Sequence, residues 1–189
     1  MLDPAEHCRP RPVVRLGRRA AAGGPAGPPR PEGEKNTDML TIFEAGRLIM
    51  RLSGGWLYPL WALYFATGRD ALPLFSNPDL TSAIDTKIGR GAVFLYAGLG
   101  IGEAHGKVVS ALAQRQALHF GIRLTHEHVV DSLECMTETL LDGVWDREEG
   151  LSILETRVRE GFWSKPRDYV EPVYIDDMKA ARVSAYLRS

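Results

Sequence analysis

LSGGWLYPLWALYFATG, from Leu52 to Gly68, is the most apolar stretch of the chain and runs for seventeen residues without a charged side chain. As one continuous helix it would be about 26 Å long, slightly short of the ~30 Å hydrocarbon core of a bilayer. Gly54, Gly55 and Pro59 also interrupt it. The stretch therefore predicts a buried structural segment, with contact at a membrane interface or a bilayer span as the alternatives.

The composition is that of a globular protein with one domain. The chain has 189 residues, 44% of them hydrophobic, and a formal net charge of −1. That balance excludes a global basic field for holding nucleic acid, so any such binding needs a local patch. Only Cys8 and Cys135 are present, which argues against a disulfide framework and makes a reducing cytoplasm the expected compartment.

Residues 1–37 differ in composition from the rest of the chain. They are dominated by Arg, Pro, Gly and Ala, and they carry seven basic and four acidic side chains. Such a segment cannot bury enough apolar surface to offset its ordering entropy. We therefore predict a flexible, disordered tail over 1–37 and a single globular domain over 38–189.

Several segments of the domain carry helical signals, either apolar residues at helical spacing or a capping residue at the start. The predicted helices cover 38–52, 78–88 and 126–141, with further helices that start at Asp146 and near residue 176. Asn77 is the predicted N-cap of the second helix, and Asp146 that of the helix it begins. Short apolar blocks predict strands at 92–97, 121–124 and 173–175. Together these elements predict an α/β or α+β fold with a small mixed sheet and several helices.

A glycine-rich loop follows the strand predicted at 92–97 and leads into a helical pattern. Closely spaced glycines at such a position let backbone N–H groups approach a phosphate, and a lysine adds positive charge. Gly100, Gly102, Gly106 and Lys107 are therefore the predicted binding residues for ATP or another nucleotide. The segment departs from the P-loop pattern at two positions, so close packing of the strand on the helix is the alternative explanation.

Acidic and histidine side chains cluster in the segment HEHVVDSLEC, residues 126–135. On the predicted helix, Glu127 and Asp131 lie one turn apart, an arrangement that can hold a divalent metal. The alternative is a row of acids on the solvated face of an amphipathic helix, formed by Glu127, Asp131, Glu134 and Glu138. The turn DGVWDR follows, from Asp142 to Arg147. Its Gly143 is typical of the end of one helix, and its Asp146 is typical of the start of the next.

Over its whole extent the chain resembles the Osa family, the oncogenic-suppression and fertility-inhibition proteins of conjugative plasmids. The passage that carries this resemblance is MLTIFEAGRLIMRLSGGWLYPLWALYFATGRDALPLF, from Met39 to Phe75. The resemblance implies a plasmid-encoded inhibitor that blocks transfer of DNA or protein substrates by a type IV secretion system. It also implies a fold like the ParB/sulfiredoxin superfamily, with nucleotide-dependent ATPase and DNase activity.

That superfamily often carries a compact D-G-x-H-R motif, which the turn from Asp142 to Arg147 matches only in part, because it has one residue more and no histidine. The candidate catalytic residues are Glu127 and Asp131 from the acidic cluster, together with Asp142 and Arg147 from this turn. The expected partners are type IV secretion components or transferred DNA at the cytoplasmic face of the inner membrane. Two alternatives stay open: a small nucleotide-binding enzyme unrelated to conjugation, and a non-catalytic adaptor that touches the membrane through Leu52–Gly68.

Overall fold

One mixed β-sheet organises the part of the chain that the structure, a computed structural model, describes. The described residues are 39–55, 57–67, 75, 77–133, 135–160, 170–176 and 181–189. The tail predicted over 1–37 lies outside them. All of the described residues belong to one compact unit.

The sheet contains six strands within the described residues. They are β1 (Met39–Glu44), β2 (Arg47–Gly54), β3 (Thr81–Ile88), β4 (Glu103–Ser110), β5 (Arg123–Val130) and β6 (Val170–Ile175). Their order across the sheet is β5-β4-β3-β1-β2-β6. β3, β4 and β5 run parallel to one another, whereas β1 is antiparallel to both of its neighbours and β6 is antiparallel to β2.

Six α-helices accompany this sheet in the described part of the chain. They are α1 (Tyr58–Thr67), α2 (Arg90–Leu99), α3 (Ala111–His119), α4 (Met136–Leu140), α5 (Arg147–Arg159) and α6 (Ala181–Arg188), with a short 3-10 turn at Pro78–Leu80. The predicted α/β class with a small mixed sheet and several helices is therefore confirmed. Its closer assignment to a ParB/sulfiredoxin-like fold stays a prediction.

The parallel strands are joined by helices that begin almost as soon as each strand ends. Only Gly89 separates β3 from α2, and α3 follows β4 without a break. The N-termini of both helices consequently lie at the carboxyl ends of β3 and β4. In open α/β sheets this edge is where ligands bind, because strand ends and helix N-termini meet there.

The uncharged stretch at Leu52–Gly68 contributes the end of β2 and helix α1. Trp61 and Leu63 on α1 are fully buried, and the Tyr64 hydroxyl donates to Glu155 Oε1 on α5 at 3.1 Å. The prediction of a buried structural segment is confirmed for this helix. No helix in the described ranges is long and apolar enough to cross a membrane.

The prediction of a helix over 38–52 is wrong, because residues 39–52 lie in the β1–β2 hairpin. Glu44 pairs with Arg47 across a two-residue turn, in which Ala45 and Gly46 both have positive φ, at 51° and 74°. Positive φ at both central residues matches the right-handed twist of paired strands, which explains why the chain reverses here.

The strand and the helix predicted around the glycine-rich region are also wrong, because each position has the other type of element. The block predicted as a strand at 92–97 lies in helix α2, and the following segment, predicted to enter a helix, forms strand β4. Further on, the helix predicted over 126–141 is divided between β5 and the short helix α4. The helix predicted over 78–88 is a 3-10 turn followed by β3.

Other local predictions are confirmed. Asp146 caps α5, and its Oδ1 accepts the Glu149 N–H at 2.8 Å. Asn77 Oδ1 accepts the Asp79 N–H at 3.1 Å at the start of the 3-10 turn. The strand predicted at 173–175 lies within β6. The start of the last predicted helix, near residue 176, falls partly on residues outside those described.

Candidate ligand-binding site

A cavity of about 240 Å³ opens at the N-terminus of α2, and we refer to it as the α2 cavity. Two glycines and an alanine from the start of α2 form part of its wall, and leucines before α1 and α4 supply most of the remaining apolar surface. Its lining residues are Leu57, Lys87, Gly89, Gly91, Ala92, Leu133, Cys135 and Thr137. The cavity thus lies at the carboxyl end of β3, the edge at which an α/β sheet binds ligands.

The absence of a side chain at Gly91 lets Leu57 and Thr137 pack closely against the start of α2. A Cβ at this position would lie 2.8 Å from both Leu57 Cδ1 and Thr137 Cγ2. At Gly89 a Cβ would lie 3.0 Å from Glu138 Oε1 and 3.2 Å from Leu133 Cδ1. Any larger residue at these positions would therefore crowd α4 and the segment before it.

Glu138 on α4 holds this end of the sheet together, and its side chain is almost fully buried. Its Oε1 accepts the backbone N–H of Arg90 at 3.3 Å and the hydroxyl of Ser110. Its Oε2 accepts the backbone N–H of Leu133 at 2.8 Å. Ser110 in turn caps α3, since its hydroxyl accepts the Ala113 N–H at 3.0 Å. One carboxylate thereby joins the N-termini of α2 and α3 to α4.

Arg90, the first residue of α2, places a buried positive charge near this carboxylate. Its Nη2 donates to Gln116 Oε1 at 2.9 Å and to the Val144 carbonyl at 2.5 Å. The ring of Trp145 covers the guanidinium, with its centroid 5.5 Å from Cζ. Burial lowers the pKa of Arg90, and the charge of Glu138 opposes that shift. The guanidinium therefore compensates the buried carboxylate while tying α2 to α3 and to the turn before α5.

Two backbone donors in the first turn of α2 have no partner among the described residues. The first four N–H groups of a helix lack intrahelical acceptors. At α2, Arg90 N–H donates to Glu138 and Val93 N–H to the Gly89 carbonyl at 3.3 Å, but Gly89 provides no side-chain cap. The N–H groups of Gly91 and Ala92, two residues that line the α2 cavity, are left over.

Thr137 on α4 also lines the α2 cavity. The residue is only 1% exposed, and its hydroxyl has no hydrogen-bond partner of standard geometry in the described part of the chain. Buried polar groups in native proteins are nearly always paired, and an unpaired one requires an explanation. The Thr137 hydroxyl acts on the Cys135 thiol, whose pKa it lowers.

Cys135 lines the cavity as a thiol. Burial raises its pKa, and the negative charge of Glu138 raises it further. The backbone N–H groups of Glu138 and Thr137 and the Thr137 hydroxyl act in the opposite direction but are outweighed. Cys135 therefore supplies a small, weakly polar surface to a ligand at neutral pH, and not a nucleophilic thiolate.

The residues predicted to bind a nucleotide do not form a phosphate loop. Gly100 ends α2 in a left-handed conformation at φ 77°, where the helix dipole is negative. Gly102 packs on Pro78, whose carbonyl oxygen would lie 2.2 Å from an added Cβ. Gly106 and the exposed Lys107 lie within strand β4. Nucleotide binding stays a prediction, but these four residues no longer support it.

The predicted catalytic residues lie outside the lining of the α2 cavity. Glu127 is an exposed residue of β5, Asp131 follows that strand, and Arg147 forms a surface ion pair with Glu148 at 3.0 Å. Asp142 lies closer to the site than the other three. Its charge acts on Arg90 and raises the pKa of that guanidinium, against the effect of burial. A catalytic role for these residues stays a prediction.

No group of three or more His, Cys, Asp or Glu side chains comes together as a metal site within the described ranges. The helix that was to place Glu127 and Asp131 one turn apart is absent, because the first lies in β5 and the second in the bend after it. The predicted divalent metal therefore lacks the geometry on which it was based and stays a prediction.

The sequence analysis missed the residues that form the site. Glu138 falls on the face predicted to be solvated, yet its partners are separated from it by as many as 48 residues along the chain. Thr137, Gly91 and Leu57 form no motif. One local signal is present in the sequence. Gly89 lies directly before the start of α2 and Gly91 just inside it, and glycines at such positions indicate that other side chains approach the backbone closely.

Comparisons with known proteins support the fold. No family model and no curated protein matches the chain. Among solved structures, it is similar to a DUF1893 family protein from Thermotoga maritima, with a TM-score of 0.53 and 21% sequence identity. The match covers 62% of this chain and 79% of that one. This likeness extends to the fold alone, and the resemblance to fertility inhibitors, with its secretion and DNA partners, stays a prediction.

Replacing Thr137 by Val should leave the unliganded protein as stable as before or stabilise it by up to about 1 kcal/mol. Val keeps the shape of Thr while removing a buried hydroxyl that lacks an acceptor, and such a group costs about 1–3 kcal/mol to bury. Thermal and urea unfolding would measure the change. Thr139→Val, at an exposed position of α4, is the matched control and should shift stability by less than about 0.5 kcal/mol. A loss above about 1 kcal/mol in Thr137→Val would show that the hydroxyl is already paired.

Proposed function

We propose that the domain binds a small, largely apolar molecule in the α2 cavity. The observation that carries this proposal is the cavity itself, a space of about 240 Å³ with mostly apolar walls at the carboxyl end of a parallel strand. Binding sites in proteins are typically apolar clefts with a few convergent polar groups. The leucines, alanine and glycines of this cavity, together with the polar residues Lys87, Cys135 and Thr137, fit that description.

The volume of the cavity limits the ligand. Drug-sized ligands occupy pockets of roughly 300–1,000 Å³, so a cavity of about 240 Å³ suits a smaller molecule, such as one with a single ring or a short chain. A complete nucleoside triphosphate exceeds this space.

A fragment screen by two-dimensional amide NMR tests the proposal on the full-length chain. We expect the fragments that bind to shift the amide signals of Gly89, Gly91, Ala92 and Thr137 together. Fragments whose shifts map only to other surfaces would contradict the proposal, and so would a diverse screen without any binder at this cavity.

Modification of Cys135 provides an independent test of the location. In a Cys8→Ser variant Cys135 is the single thiol, and methyl methanethiosulfonate converts it to a mixed disulfide that places a methylthio group in the cavity. We expect the modified protein to lose binding of the fragments found by NMR. The Cys8→Ser/Cys135→Ser protein, treated in the same way, should still bind them. Equal binding by the modified and unmodified proteins would overturn the assignment of the site.

A further inference from the structure

We propose that two copies of the chain pair through strand β5, so that their sheets join into one. Within the described residues β5 is an edge strand, with β4 as its neighbour on one side. Three features support this pairing: the backbone groups on the free side of β5, the side chains along the strand, and a groove at its amino end. The pairing does not depend on ligand binding in the α2 cavity.

The free side of β5 presents unpaired backbone groups. The Arg123 N–H donates to the Gly102 carbonyl at 2.9 Å, on the side of β4. The N–H and C=O of one strand residue point to the same side, and this side alternates along the strand. The residues whose groups point away from β4 are therefore Leu124, His126, His128 and Val130. No described residue bonds to these groups.

The two edges of the described sheet differ in how they discourage further pairing. β6, at the opposite edge, contains Pro172, and its pairing with β2 is interrupted by a register shift. Prolines and bulges are typical of protected edges. β5 contains no proline and keeps one register with β4, and six of its eight residues are exposed. It is therefore the edge that can accept another strand.

A second copy of β5, running antiparallel, fits the first in one register. With a two-fold axis through Glu127, Leu124 of each copy lies opposite Val130 of the other, and His126 lies opposite His128. All four residues with free backbone groups then form hydrogen-bonded pairs, and apolar side chains meet each other. An axis at His126 or His128 would instead place a histidine opposite Leu124 or Val130.

The charges along the strand are complementary in the same register. Arg123, which pairs with Glu103 of its own copy at 2.8 Å, lies opposite the exposed Asp131 of the other copy. Two such pairs form, one at each end of the junction. The unfavourable contact is between the two Glu127 side chains on the axis. The exposed Lys107 lies beside Glu127 in the register of β4 with β5 and reduces this repulsion.

A groove of about 340 Å³ lies at the amino end of β5. Its lining residues are Gln114, Leu118, Gly121, Ile122, Arg123 and Leu124. Leu118 on α3 is 82% exposed, more than any other large apolar side chain in the described ranges. Because Val130 of the second copy lies opposite Leu124, the pairing brings an apolar side chain to this groove and covers part of its exposed surface.

Sedimentation velocity of the full-length chain over a range of concentrations tests the pairing. We expect a monomer–dimer equilibrium with a dissociation constant in the micromolar range, as is usual for small interfaces. A chain that stays monomeric up to millimolar concentration would overturn the proposal and leave this edge to a strand of another protein.

A proline at position 126 tests whether the dimer uses β5. His126→Pro removes an N–H that points away from β4, and proline is tolerated where that side of an edge strand faces solvent. Each dimer loses two hydrogen bonds, so we expect at least tenfold weaker association. His126→Thr keeps the N–H and should associate within about threefold of the parent. A proline variant that associates as tightly as the parent would show that the dimer uses another surface.

Two further measurements test the register and do not depend on the proline variant. Glu127→Gln removes the like-charge contact on the axis and should strengthen the dimer by about twofold to fivefold. In a Cys8→Ser/Cys135→Ser background, the Thr125→Cys and Val129→Cys proteins should form a mixed disulfide on mild oxidation, because these positions lie opposite each other. Each protein alone should cross-link much less. A weaker or unchanged Glu127→Gln dimer, or cross-linking without preference for the mixed pair, would contradict the pairing.

Discussion

Replacing Glu138 by Gln is expected to destabilise the domain by about 2–4 kcal/mol. The carboxylate accepts three hydrogen bonds, from Arg90 N–H and Ser110 at one oxygen and from Leu133 N–H at the other. Gln has a single acceptor oxygen, so its NH₂ group must face at least one of these donors. Each buried donor left without an acceptor costs about 1–3 kcal/mol, and the guanidinium of Arg90 also loses part of its compensating charge.

Thermal and urea unfolding of the full-length variant would measure this loss. For a domain of this size it corresponds to a decrease in melting temperature of roughly 5–15 °C. Glu148→Gln, at an exposed ion pair on α5, is the matched control and should change stability by less than about 1 kcal/mol. A loss below about 1 kcal/mol in Glu138→Gln would show that the three hydrogen bonds do not form together.

A double-mutant cycle would assign the effect to the junction of α2, α3 and α4. Ser110→Ala removes one donor to Glu138 and the cap of α3 at the same time. If the two side chains form one network, the loss in Ser110→Ala/Glu138→Gln should be smaller than the sum of the single losses by at least about 0.5 kcal/mol. Additive losses would place the two residues in separate networks.

The class of the fold could be predicted from the sequence, but several elements could not, and burial explains why. Ala92, Val93, Phe94, Leu95 and Tyr96 are all fully buried, so helix α2 has no polar face in its middle. A short apolar run bounded by glycines is equally compatible with a buried strand and a buried helix. Where a helix is covered on all sides, periodicity carries no information.

The hairpin at the start of the domain was missed for a related reason. Leu40, Thr41 and Ile42 are consecutive and all buried, so β1 lacks the alternation of buried and exposed residues that marks a half-buried strand. The turn itself places Ala45 at positive φ, where Gly, Asn or Asp is more usual. Capping residues were more informative, because Asn77 and Asp146 act within three residues of their own position.

The candidate site shows where reading a sequence locally stops being sufficient. Its hydrogen bonds and contacts join residues of α2, α3 and α4 that have no fixed spacing, and Glu138 acts as the internal cap of a helix 48 residues earlier. The acidic row that contains Glu138 has the same appearance in sequence whether its members are buried or solvated. Only the topology, which brings the ends of β3 and β4 side by side, decides between the two.

The second large effect is expected at Gly150, where α5 packs on α2. A Cβ at this position would lie 2.1 Å from Cε1 and 2.3 Å from Cδ1 of Phe94, whose side chain is fully buried. Phe94 in turn packs edge to face on Phe120, with 5.1 Å between ring centroids, so its ring has little room to move. The close approach of the two helices therefore depends on the absence of a side chain at Gly150.

Gly150→Ala should destabilise the domain by at least about 2 kcal/mol. In an exposed helix the same change would stabilise by about 1 kcal/mol, because Ala loses less backbone entropy, but overpacking of this severity outweighs that gain. Gly98→Ala is the control, since its Cβ would meet only the ends of Leu151 and Tyr64, at 3.2 and 3.3 Å, and Leu151 can adjust. Unfolding in urea should show a small change for this control.

Shortening the side chain at position 94 should relieve the clash. Phe94→Leu alone leaves unfilled volume and should destabilise the domain, yet in Gly150→Ala/Phe94→Leu the new methyl group occupies part of that volume. We therefore expect the double variant to be more stable than the sum of the two losses predicts, by at least about 1 kcal/mol. Strictly additive losses, or a Gly150→Ala protein as stable as the parent, would mean that α5 does not approach Phe94 this closely.

The same variants should also affect ligand binding, because the first turn of α2 lines the α2 cavity. A shift of α5 against α2 should weaken ligand binding in Gly150→Ala. The double variant should restore it.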